Sequence, residues 1–124
     1  MDLHIDVELQ GGLLLVTGSG TWALDAALRA LKQFCDTAKE KGVNKILVNN
    51  LAMDGELSTM ERYRLGVELA AYLKQCQMNP WLATVGKPPG MDGFGVRVAQ
   101  NRGVTVEVFS TQQEALNWLE KWPS

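Results

Sequence analysis

The sequence predicts an α/β domain built on a five-stranded, mostly parallel sheet. Three observations carry that prediction. Apolar runs of strand length alternate with longer runs of helical period, down to a final pair at Val104 to Phe109 and Thr111 to Trp122. Two strand-like runs come first, separated only by Gly11-Gly12, which is a hairpin signal. The chain has 124 residues, 46% hydrophobic and 21% charged, which suits one domain with its own core and leaves no room for two.

Each element has its own warrant. Leu3, Ile5, Val7 and Leu9 alternate with His4, Asp6, Glu8 and Gln10, the period of two of a strand with one wet face. The run Leu13-Leu14-Leu15-Val16-Thr17 is apolar on both faces, as an interior strand is. Gly18-Ser19-Gly20 is expected to break that strand. A helix then runs from about Trp22 to Lys41, because Leu24, Ala27, Leu28, Leu31, Phe34, Cys35 and Ala38 share a stripe of helical period. Gly42 suits the left-handed residue that closes it. Ile46-Leu47-Val48 reads as a short interior strand and Asn49 to Leu57 as a loop. The second helix spans Thr59 to Gln75, with Tyr63, Val67, Leu69, Ala70 and Leu73 as core positions. After Asn79-Pro80, Trp81 to Val85 is a strand, ended by Gly86-Lys87-Pro88-Pro89-Gly90. Phe94 to Asn101 is a short helix closed by Gly103, Val104 to Phe109 alternates again, and Leu116, Trp118, Leu119 and Trp122 line the closing helix.

Only the first and last strands alternate polar with apolar. Alternation belongs to strands with a solvated face, often at sheet edges, so the expected order is sequential, with an antiparallel first pair and parallel pairs after it. Right-handed crossovers in such a sheet put the helices on one face. The other face would then need cover from a helix, a ligand or a second copy, and a homodimer is expected on that ground.

Composition excludes several functions. The net charge is −2 and Lys and Arg are dispersed, which argues against nucleic acid as a partner. Cys35 and Cys76 form no C-x-x-C pair; buried free thiols in a reducing, cytoplasmic compartment are expected. The opening residues lack the basic and apolar regions of a secretory leader, and no apolar run approaches the length of a membrane span. His4 is the single histidine, which rules out a multi-histidine zinc site and argues against a Ser-His-Asp triad. No metal, cofactor or catalytic constellation is expected.

Four segments are candidate sites. Gly18-Ser19-Gly20-Thr21-Trp22-Ala23 fits G-x-G-x-x-A between a strand and a helix, a pattern whose glycines admit a pyrophosphate. A nucleotide-binding domain or small enzyme using the Gly18-Thr21 turn is therefore one alternative, although Asn49-Asn50 stands where an acid for the ribose belongs. The plainer reading is a strand-to-helix turn with Thr21 as N-cap. Ser58-Thr59-Met60-Glu61 reads as a capping box. The same helix start, with Arg62 and Arg64 one turn on, is also the candidate phospho-acceptor or partner-binding site: Ser58, Thr59, Arg62 and Arg64. Asp54 and Glu56 flank Gly55, and two acids without a third ligand make a poor metal site. Asn49, Asn50, Asp54 and Lys87 follow parallel strands, where open α/β sheets bind ligands, and form a candidate ligand loop.

The run Phe94-Gly95-Val96-Arg97-Val98-Ala99-Gln100-Asn101-Arg102-Gly103-Val104, with Val108-Phe109-Ser110-Thr111 and Glu114-Ala115-Leu116-Asn117-Trp118-Leu119, resembles the end of STAS-like domains. It is most similar to uncharacterised bacterial proteins grouped as sporulation anti-sigma-factor-antagonist-like. Leu57 to Gly66 is similar to members of that group too, and the element order matches over nearly the whole chain. The resemblance implies a single STAS-like domain over residues 1–124 with a regulatory or ligand-binding role. In antagonists that act as phospho-switches, a Ser or Thr starts the helix after the third strand within Asp-Ser-Ser/Thr-Gly. Ser58 and Thr59 take that place here, with Leu57 where the Asp stands and Met60 where the Gly stands. The expected function is a non-enzymatic regulatory or interaction domain that binds a protein partner or a small apolar ligand near the loop after the third strand. A structural homodimer is the remaining alternative.

Overall fold

Alternation in the first run makes β1 (His4–Gln10), and the apolar second run makes β2 (Leu13–Thr21). They pair antiparallel across Gly11-Gly12, and Gly11 takes the positive φ the tight turn requires. β3 (Lys45–Asp54), β4 (Trp81–Val85) and β5 (Thr105–Phe109) then add in parallel, in the order β1-β2-β3-β4-β5. The alternating strands do hold the two edges. The computed structural model describes residues 2–122. It is an α/β domain with four helices: α1 (Leu24–Lys41), α2 (Thr59–Gln75), α3 (Phe94–Gln100) and α4 (Gln112–Leu119).

Gly18-Ser19-Gly20 does not break β2. Gly18 and Ser19 pair with Ile5 and His4 on one side, while Ser19 and Gly20 pair with Ala52 and Met53 on the other. The glycines answer to crowding: a Cβ on Gly20 would lie 2.0 Å from the Asp2 carbonyl oxygen. β3 likewise continues to Asp54, so Asn49 to Asp54 are strand rather than loop. Two residues of β3, Asn50 and Leu51, oppose Gly18 alone of β2 between the pairs Thr17–Asn49 and Ser19–Ala52, a bulge that re-aims the side chains around Asn50. Thr21 ends β2, and the N-cap of α1 is Ala23, which makes no side-chain cap bond. The strand ladders thus take up the segment that a pyrophosphate-binding turn would have used, and the nucleotide-binding alternative loses its basis.

Two cores sandwich the sheet. On one face Leu14, Val16, Ile46, Val48 and Leu82 meet Leu31 and Phe34 of α1, Leu73 of α2 and Ala99 of α3. On the other, Leu47, Ala83 and Val85 meet Ala115 and Leu119 of α4. Trp118 stacks on Trp81 at 4.8 Å between ring centroids, and Trp122 meets Trp81 edge-on at 5.5 Å. The expectation that all helices gather on one face therefore fails at α4. This helix follows the last strand and returns to no further one, so the crossover rule does not bind it. On α4's side of the sheet β1 presents exposed His4, Asp6, Glu8 and Gln10. The apolar face from which a homodimer was expected is thus covered over β3 to β5 and polar at β1.

The helices are less uniform than their pattern. α1 ends as expected, with Gly42 at φ 68° and Val43 N donating back to the Ala38 carbonyl. Burial pushes the thiol of Cys35 on its inner face up to about 12, as for an inert packed thiol. In α2 the buried stripe is Leu65, Gly66, Leu69 and Leu73. Tyr63, expected in the core, is 41% exposed and lies under the Arg102 guanidinium at 5.6 Å. Apolar residues surround α2 on several faces, so period alone did not choose the buried one. No described helix is long and apolar enough to cross a membrane.

Candidate functional site

Between the sheet and α1, α2 and the loop before α3 lies a cavity of about 150 Å³. Val16, Val48 and Leu82 form its floor, and it extends to Gly18, Asn50 and Thr84 toward the carboxyl ends of β2, β3 and β4. Ala30 and Phe34 of α1 and Leu65 and Leu69 of α2 form its apolar walls, and Trp22 and Met91 also line it. Open α/β sheets bind ligands at this end because the connecting loops there are free to vary without disturbing the ladder.

One wall is polar. The Asn50 amide Nδ2 donates to Thr84 Oγ1 at 3.3 Å and approaches Met91 Sδ at 3.5 Å. Thr84, 6% exposed, is the buried polar residue of the described core, and its hydroxyl also approaches Met91 Sδ at 3.5 Å. A thioether is a weak acceptor, so this pair is only loosely satisfied. Gly18 makes room for the amide: a Cβ there would lie 2.9 Å from Asn50 Oδ1. The β3 bulge and the absent Cβ of Gly18 together turn Asn50 inward, while its neighbour Asn49 turns outward. Asn49 donates to Gln112 Oε1 at 2.8 Å on the α4 side and caps Leu51 N.

Arg62 stands at the wall of the cavity. It stands in phase with Leu65, Gly66, Leu69 and Leu73, so a guanidinium sits at the head of the buried stripe of α2. Its side chain is 13% exposed. Nη1 donates to Asp92 Oδ2 at 2.6 Å, and Nη2 donates to the Pro89 carbonyl at 2.6 Å and to Glu56 Oε2 at 3.3 Å. One side chain thereby ties the β4–α3 loop, the β3–α2 loop and α2 together. Asp92 also accepts from Phe94 N at 3.0 Å. That amide bond, together with the Arg62 charge, holds its carboxyl below the usual carboxylate range against the opposing effect of burial. Arg62 Nε is buried without a partner among the described residues. α2 and α3 approach closely beside this latch, Gly66 against Gly95.

The helix start at Ser58 is a complete capping box. Ser58 Oγ accepts from Glu61 N at 3.1 Å, and Glu61 Oε1 accepts from Ser58 N at 2.9 Å. Ser58→Ala should cost about 1 kcal/mol and Ser58→Asp much less, since Asp also caps; urea unfolding of the three proteins measures this. Ser58 and Thr59 are both exposed. The two arginines do not converge there. Arg62 is engaged as described, and Arg64, on another face of α2, lies 3.9 Å from Glu68 one turn on. Asp54 ends β3 with an exposed side chain, its carbonyl accepting from Trp22 N. Lys87 is exposed in the loop before α3. Of the candidate ligand-loop residues, only Asn50 lines the cavity.

Sequence reasoning missed Thr84 as a site residue, read Gly18 as part of a pyrophosphate-binding turn rather than as room for Asn50, and gave Arg62 no partners in the loop before α3. Two signals pointed to the first and the last of these. A threonine inside the apolar run Trp81 to Val85 is a polar group that burial must satisfy. An arginine in phase with Leu65, Leu69 and Leu73 needs acidic or carbonyl partners from elsewhere in the fold.

No protein-family model matches the chain, and no curated protein matches it. Solved structures do. An anti-sigma factor antagonist from Mycobacterium paratuberculosis is 16% identical, with a TM-score of 0.67 over 97% of this chain and 96% of that one. An uncharacterised DUF3478-family protein with a SpoIIAA-like fold from Shewanella loihica is 18% identical, with a TM-score of 0.54 over 95% of this chain and 93% of that one. The likeness shows the fold: this chain is STAS-like in architecture along nearly its whole length.

Proposed function

We propose that this STAS-like chain is a non-enzymatic regulatory domain that binds a small apolar ligand in the cavity beneath Arg62. One observation carries the reading: about 150 Å³ of space with apolar walls lies at the ligand-binding end of the sheet. A well-packed core has few voids larger than a water molecule, and filling one this size with ordinary side chains would stabilise the fold. An apolar cavity of comparable volume is known to take benzene. The polar groups that line it, an amide, a hydroxyl and an arginine bound to carboxylates, orient and select rather than attack. The likeness to an anti-sigma factor antagonist supports a protein partner as the reader of occupancy. The exposed start of α2, with Ser58, Thr59 and Met60, is the surface proposed for it, because Arg62 joins that turn to the cavity.

Benzene is the direct probe. At about ten times its dissociation constant it should stabilise the protein by about 1.4 kcal/mol, which raises Tm by about 5 °C in a domain of this size. Ala30→Leu, which fills the cavity from α1, should abolish the shift. An equal shift in both proteins would remove the cavity from the account.

A further inference from the structure

We infer that the cavity selects an uncharged, ring-sized molecule bearing one hydroxyl, a phenol or a cyclic alcohol, with the hydroxyl held between Asn50 and Thr84. This rests on the reading of the cavity as a ligand site and specifies its ligand. Volume sets the size. About 150 Å³ accommodates a single six-membered ring.

Hydrogen bonding sets the head group. Thr84 Oγ1 accepts from Asn50 Nδ2 and, among the described residues, has only the Met91 thioether to donate to. The second contact of Asn50 Nδ2 is the same sulfur. Among the described residues no hydrogen bond ends on Asn50 Oδ1, the atom that Gly18 leaves room for. A ligand hydroxyl both donates and accepts, so it supplies a donor for Asn50 Oδ1 and a better acceptor than sulfur for Thr84. A pure hydrocarbon leaves this wall as it is.

Charge sets what is rejected. The cation at the cavity, Arg62, already faces Asp92 and Glu56, so these three groups sum to −1 when ionised. A carboxylate in the cavity would meet the two like charges of Asp92 and Glu56, with both Nη groups of Arg62 already bonded and Nε the one guanidinium nitrogen without a partner among the described residues. A single N–H offsets only part of a carboxylate's desolvation.

The test compares benzene, phenol and benzoate against the whole protein at neutral pH, by titration followed in amide NMR spectra. Phenol should bind about fivefold or more tightly than benzene, as one net hydrogen bond provides. Benzoate, of the same shape and ionised, should not bind at concentrations where phenol saturates. Asn50→Ala should keep benzene binding and lose the preference for phenol. Thr84→Val, which preserves volume, should reduce that preference, and it provides the comparison if Asn50→Ala does not fold. Equal affinity for phenol and benzene in the wild type would overturn the inference while leaving the cavity as a ligand site. Benzoate binding as tightly as phenol would overturn it as well. Failure of both benzene and phenol to bind would overturn this inference and the proposed function together.

Discussion

Gly66→Ala is expected to lower stability by roughly 2 kcal/mol, although the same change at an open helical position would raise it. In a free helix Ala is better than Gly by about 1 kcal/mol. Here a Cβ would lie 2.6 Å from the Gly95 carbonyl oxygen and 2.9 Å from Val98 Cβ. The first is backbone, so relief requires moving α3 rather than rotating a side chain. Overpacking of that kind costs about 1–3 kcal/mol and occasionally more, which outweighs the propensity gain. Gly95 is constrained from the other side, since a Cβ there would lie 3.1 Å from the Arg62 carbonyl oxygen. The two glycines let α2 and α3 touch, and that contact sets where Arg62 enters the cavity wall. Urea unfolding should show a lower midpoint with an unchanged slope. A gain in stability would contradict the close contact.

Arg62→Met should cost roughly 2 kcal/mol at neutral pH. Methionine keeps the buried stem and removes the donors, leaving the Pro89 carbonyl and the Asp92 carboxylate without them. Hydrogen bonds to charged groups contribute about 1.5–3 kcal/mol, and the half-exposed Asp92 and Glu56 place the loss toward the lower end of that range. The pH dependence follows from the sign of the Asp92 shift. Its folded-state pKa is lowered, so its contribution is fully present above the unfolded value of about 3.9 and is lost as pH falls through the lower folded value. Wild type and Arg62→Met should therefore differ most near neutrality and converge in acid. A constant difference across the titration would show that the Arg62–Asp92 pair does not hold the loop.

The fold was legible because its signals are local. Alternation in Leu3 to Leu9 and Val104 to Val108 reported one wet face, and edge position followed. Ser58 to Glu61 declared a helix start through a capping box whose partners are three residues apart. The site was only partly legible because its determinants are not local. Gly18 and Gly20 looked like a turn since glycine in a sequence does not distinguish a bend from a close approach within a sheet. Asn49 and Asn50 are adjacent, yet a bulge and the missing Cβ of Gly18 send one to α4 and the other into the cavity. Arg62 was read beside Ser58 because they are neighbours in sequence, while its partners, Pro89 and Asp92, come from a loop nearly thirty residues away. α4 crossed to the far face because no later strand constrained it.

The most direct measurement is a crystal structure of the wild-type protein soaked in benzene. The account predicts ring density against Phe34 and Leu69, in contact with Val48 and below Trp22, with Arg62 still bonded to Asp92. Density confined to the aromatic cluster of Trp81, Trp118 and Trp122 on the opposite face, or no density at saturation, would contradict it.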